Sequence, residues 1–172
     1  VGFSFVMAES TAGTWVPISL SSSGYSASAA AAALGLFWIT VTGTRAVGGF
    51  IVDRIGRHRT IQLSGITAAV GILMFIMNDW LHVPYLAIFI WAAGMANGFP
   101  LSINSMSSNS DRSPARVSML ILVAYGSIFT VGPALGAVGQ WVGIGFALAI
   151  PIFFLLLGSV LSKNAKAEPL VQ

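Results

Sequence analysis

Cysteine is absent from this 172-residue chain, which removes disulfide frameworks, thiol nucleophiles and thiolate metal sites together. Charge is nearly as scarce. Only 8% of the residues are Asp, Glu, Lys or Arg, against roughly 25% in a soluble domain, and so few cannot cover a surface that faces water. Eight basic and five acidic residues leave a net charge of +3. That is no basic patch, and the aromatics sit in apolar runs, so no nucleic-acid partner is expected. The two histidines, His58 and His82, lie in polar connections without a carboxylate pair at ligand spacing, so neither a metal nor a cofactor is expected. With no histidine inside an apolar run, an intramembrane serine protease would lack its base. No phosphate-binding loop is present for ATP-driven work, and the chain does not read as an enzyme. The first apolar run has no charged leader segment or small-residue cleavage site before it, unlike a signal peptide. Beginning at Val1 and not at Met, it reads as the start of a membrane span in a fragment of a longer chain.

What is abundant is apolar length: 56% of the residues are hydrophobic. A helix crosses a hydrocarbon core of about 30 Å with about 20 apolar residues. Six stretches qualify, at about 2–20, 27–52, 60–77, 84–105, 115–138 and 144–161. Together they give one six-helix transmembrane bundle over 1–162, followed by a polar tail at 163–172. Membrane strands would alternate over about ten residues, and these runs do not. The fold class read here is an all-α integral membrane protein.

The basic residues set an orientation. Arg54, Arg57, Arg59, Arg112, Arg116, Lys163 and Lys166 follow the second, fourth and sixth runs, and none follows the first, third or fifth. The positive-inside rule makes the first set cytoplasmic, with both ends of the fragment on that side. Trp80, Tyr85 and Trp141 then fall at the outer interface, where amphipathic rings favour the headgroup level.

Within the first basic turn, "GGFIVDRIGRHRT" (residues 48–60) holds more order than topology requires. Gly49, Asp53, Arg54, Gly56, Arg57 and Ile61 fit G-x-x-x-D-R-x-G-R-x-x-x-I. Gly49 suits close helix approach and Gly56 a positive φ. Asp53 suits an acceptor for the loop arginines or for a helix N-terminus. A contact of this kind, made in one arrangement of two bundles and broken in another, would act as a latch. The plainer reading of the arginines is topology and anionic lipid.

This stretch resembles the signature loop of the major facilitator superfamily, which lies between the second and third helices of a six-helix half. "AESTAGTW" (8–15), "WAAGMANGFPLSINS" (91–105), "ARVSM" (115–119) and "AYGSIFTVGPALG" (124–136) resemble, in order, segments of the C-terminal half in one bacterial branch. Where that branch has an acid before Trp15, this chain has Thr14. The resemblance implies the C-terminal half of a secondary transporter in a bacterial plasma (inner) membrane. Its implied partners are the lipid bilayer, a small-molecule solute, protons, and an N-terminal six-helix half. The implied function is proton-coupled transport of a small organic solute by alternating access. The alternative is a non-transporting membrane scaffold or assembly protein.

Two charges fall inside predicted spans, Glu9 and Arg45. Each costs roughly 2.5–3.5 kcal/mol at the bilayer centre unless partnered or hydrated. Counted from the first turn, their depths differ by roughly 10 Å, which leaves both an ion pair and snorkelling of Arg45 open. A low-dielectric cavity favours the neutral form of a carboxylic acid, as proton coupling requires, and Glu9 is the candidate. Trp38, Thr42, Arg45 and Gly49 share one helical face. Asn97 and Asn104, seven apart, share another across Pro100; for Asn97 an interhelical hydrogen bond is the favoured role. The expected solute or proton pathway comprises Glu9, Trp15, Arg45, Asn104 and Tyr125. The expected cytoplasmic conformational loop comprises Gly49, Asp53, Arg54, Gly56 and Arg57.

Overall fold

The computed structural model describes residues 1–106 and 113–162. Arg112, Lys163, Lys166 and the tail at 163–172, all used above, lie outside them. Among the described residues, regular structure is helical throughout: α1 (Gly2–Ser22), α2 (Ala27–Ile55), α3 (Arg57–Ile76), α4 (Asn78–Leu81), α5 (Pro84–Met95), α6 (Gly98–Met106), α7 (Ser113–Val142), α8 (Ile144–Ala147) and α9 (Ala149–Leu161).

Local chemistry sets the boundaries. Ser26 caps α2 by accepting from the Ala29 N–H at 3.2 Å. Pro84 opens α5, where its fixed φ and missing donor cost nothing. The charged cluster is not a loop, as the sequence suggested. Asp53 and Arg54 complete the last turn of α2, Arg57 begins α3, and the whole connection is Gly56 at φ 81°, a region that L side chains avoid.

Two predicted spans are interrupted. The fourth divides at Ala96–Asn97 into α5 and α6. Pro100 has no N–H, so the Ala96 carbonyl four residues earlier loses its helical donor. The sixth divides at Leu148 into α8 and α9, with Pro151 withdrawing the donor for Ala147 in the same way.

Among the described residues, five segments are long and apolar enough to cross a membrane: Ala27–Ile55, Arg57–Ile76, Pro84–Ser105, Pro114–Val142 and Ile144–Leu161. With 21 residues α1 has spanning length, but Ser4, Glu9, Ser10, Thr11 and Thr14 dilute its apolar content. This is the architecture of an all-α integral membrane protein.

In the centre α3 packs on α5 and α9, while α1 packs on α2, α7 and α9. Small residues permit the α3–α5 contact. A methyl added at Gly71 would overlap the Trp91 backbone, and one at Gly94 the Ala68 backbone, the close approach by which membrane helices gain van der Waals contact. Trp91 is fully buried there, edge-on to Phe37 at 5.9 Å and tilted against Phe75 at 6.0 Å. Burial is uneven around this core. Half of the apolar stretch of α3 is buried, but only 28% of that of α2 and 22% of that of α7. The helices beside α1 therefore turn much of their surface outward.

Candidate functional site

Between α1, α2, α6 and α7 lies an open cavity of about 460 Å³. From α1 it is lined by Glu9, Ser10 and Thr14, from α2 by Trp38 and Arg45, from α6 by Phe99, and from α7 by Tyr125. At its floor the Nη2 of Arg45 donates to both carboxylate oxygens of Glu9 at 3.2 Å. Its Nε donates to the Ala96 carbonyl at 2.9 Å. That carbonyl is the one released by Pro100. The helix interruption thus supplies a main-chain acceptor that orients the guanidinium while the carboxylate neutralises it.

The ion pair settles the choice that residue counting left open. Half a turn more of α1 than expected, ending at Ser22, reduces the depth difference from roughly 10 Å to roughly 7 Å. Side chains lean toward the N-terminus of their helix. Glu9 on α1 therefore leans away from the α1–α2 turn and Arg45 on α2 toward it, and the two converge.

A second contact secures this register. Asn97, 7% exposed, donates to the Thr44 carbonyl at 3.4 Å, the interhelical bond favoured for it. The space comes from Gly48, where an added methyl would meet the Asn97 amide.

Of the five residues expected in the pathway, the cavity brings together Glu9, Arg45 and Tyr125. Trp15 is not in its lining. That ring packs against the buried clusters and lies 3.6 Å from the Cβ position of Gly136. Asn104 is exposed on α6 outside the lining. Asn97 is buried and Asn104 exposed, so the two do not share an environment. Conversely, Trp38, Ser10, Thr14 and Phe99 belong to the lining without having been placed in the expected pathway. Trp38 had a signal, standing two turns before Arg45 on one face.

The expected loop is only partly assembled. Gly56 takes the positive φ. Gly49 does not mediate a close approach, since a methyl there would meet nothing within 4 Å. One residue is about 100° of helix, and the close contact belongs to Gly48. Asp53 is exposed and, among the described residues, accepts from none of the loop arginines. Arg54 instead lies over the Phe50 ring at 4.2 Å. Arg57 opens α3. His58, beside it, bonds through Nδ1 to the Ser162 hydroxyl at 3.1 Å. Because that hydroxyl already donates to the Ser159 carbonyl, the imidazole is the donor.

Chemically, the cavity offers a neutralised charge pair, aromatic faces on Trp38, Phe99 and Tyr125, and hydroxyls on Ser10, Thr14 and Tyr125. It suits reversible binding of a small organic molecule at membrane depth. No curated protein matches the chain. The family described as Major Facilitator Superfamily matches residues 1–137. By that match and by its apolar helices, the chain is an integral membrane transporter protein and belongs to the major facilitator superfamily, whose members bind small solutes.

Proposed function

We propose that this chain is the C-terminal half of a proton-coupled secondary transporter that moves a small organic solute by alternating access. In this reading α1 also crosses the bilayer, giving six spans with both ends of the fragment cytoplasmic in a bacterial inner membrane. The cavity on α1, α2, α6 and α7 is one wall of the solute site, and the companion half supplies the other. The 48–60 segment latches the cytoplasmic side through Asp53, Gly49 and the arginines; the exposure of Asp53 and Gly49 suits a contact with that companion. The observation that carries the proposal is the Glu9–Arg45 pair at the floor of an open cavity with aromatic walls. Charges at that depth cost free energy that pairing only partly offsets, which supports a functional role for the pair over a purely structural one.

The test uses the full-length protein in proteoliposomes. Internal pH is recorded under a pH gradient while sugars, organic acids and cationic drugs are screened, with wild type compared against Glu9→Gln. Solute-dependent proton movement in wild type that disappears in the variant is the expected result. Proton movement that persists in Glu9→Gln removes Glu9 from the coupling pathway. Absence of solute flux, by tracer as well as by pH, overturns the transport reading in favour of a scaffold.

A further inference from the structure

The charge pair in the cavity is not symmetric, and the asymmetry bears on what binds. Both oxygens of Glu9 face a single nitrogen, Arg45 Nη2, and the Glu9 side chain is 19% exposed against 39% for the Arg45 side chain. A guanidinium carries five N–H donors and no acceptor. Arg45 uses Nε on Ala96 and Nη2 on Glu9, and among the described residues its Nη1 makes no hydrogen bond. The hydroxyls point the same way. Ser10 spends its one hydrogen on the Val6 carbonyl, whereas Thr14 and Tyr125, which also line the cavity, make no hydrogen bond among the described residues. The cavity thus presents unspent donors, a shielded carboxylate, and the exposed rings of Trp38 and Tyr125.

We propose, resting on the transport reading above, that the solute is an organic monoanion with an apolar or aromatic body, and that its carboxylate replaces Glu9 on Arg45 once Glu9 has taken up a proton. The balance is simple. One proton moves from solution to Glu9, the ion pair opens, and the solute carboxylate becomes the counter-ion of Arg45. The guanidinium keeps its orientation because Nε remains on the Ala96 carbonyl. One proton then accompanies one negative charge, so the cycle moves no net charge. A cation would have to compete with Arg45 for a carboxylate already engaged at both oxygens, while Nη1 repelled it.

The test is binding of matched trios to the full-length protein in detergent, read as protection against thermal unfolding. Each trio shares one apolar body and differs in its head: phenylacetate, phenylacetamide and phenethylammonium, with corresponding trios built on indole and on a hexyl chain. At least one carboxylate is expected to protect while its amide and ammonium partners do not. Among the described residues the titratable groups around Glu9 are Arg45 from α2 and Tyr125 from α7. Carboxylate binding to wild type is therefore expected to tighten as pH falls, over a range in which the probe stays ionised. In Glu9→Gln, which frees Arg45 permanently, it is expected to be about tenfold tighter, in line with coupling between close charges, and independent of pH. Binding that prefers the ammonium or amide members overturns the proposal, as does the absence of binding by every carboxylate to folded protein. Weaker carboxylate binding in Glu9→Gln overturns it too. None of these outcomes bears on the transport reading, which stands or falls on solute flux.

Discussion

Gly48 and Gly49 are neighbours in α2 with opposite surroundings. The first is pressed against Asn97 and the second has nothing within 4 Å of a would-be Cβ. Gly48→Ala is expected to lower stability by about 1–3 kcal/mol, the usual cost of forcing a methyl into a packed contact, seen as a drop in thermal midpoint in detergent. Gly49→Ala is expected to leave that midpoint unchanged and yet slow transport, if the residue meets the companion half in one state of the cycle. Equal midpoints for the two variants would contradict the packing; unimpaired transport in Gly49→Ala would take that residue out of the latch. The sequence marked Gly49 because a motif spans it, and motif spacing does not record which of two adjacent residues faces a neighbouring helix. Glu9 and Arg45 were legible as charges needing an explanation. Their pairing was not, because residue counting measures Cα depth and ignores the opposed lean of side chains on antiparallel helices.

At the scale of elements, the interrupted fourth span decides how Arg45 is held. Pro100→Ala restores an N–H that can bond the Ala96 carbonyl, in competition with Arg45 Nε. Pro100 stands in the first turn of α6, where a proline is tolerated, so the variant is expected to be about as stable as wild type. Transport is expected to fall severalfold because the guanidinium loses its second anchor. A thermal midpoint that holds while flux falls would identify Pro100 as a positioning residue; undiminished flux would show that the Ala96 bond is dispensable. The proline was visible in the sequence as a loosening of the helix, and so was the purely local turn at Gly56. What the freed carbonyl bonds to was not visible, since its partner lies 51 residues away on a helix whose rotation the sequence leaves open.

For the whole molecule, the lightly buried α2 and α7 flank the cavity, and in the proposed mechanism this is the side that meets the companion half. The absence of cysteine makes that proposal easy to probe. A single Ile128→Cys on the α7 wall, in a full-length protein whose companion half also lacks cysteine, is expected to react with a membrane-impermeant thiol reagent. A transported solute is expected to slow that reaction severalfold. Phe129→Cys, at a position 79% exposed and outside the lining, is expected to show no protection by the solute. Equal protection at both positions would remove the cavity from the solute path. The long apolar helices were legible early, because they depend on composition along the chain. The cavity was less so, since which faces of four helices converge depends on rotations set by glycine contacts such as Gly48 on Asn97 and Gly98 on Phe5.

The anchor of Arg45 on a main-chain oxygen has a consequence for how this site can vary. No side-chain replacement deletes a carbonyl, so a mutational scan at residue 96 would report the packing of its buried methyl and not its bond to the central cation. The information resides four positions downstream, in a proline outside the cavity lining. Inheritance of the site therefore runs through a residue that a search confined to cavity walls would pass over, and loss of that proline would register as loss of function without loss of any wall residue.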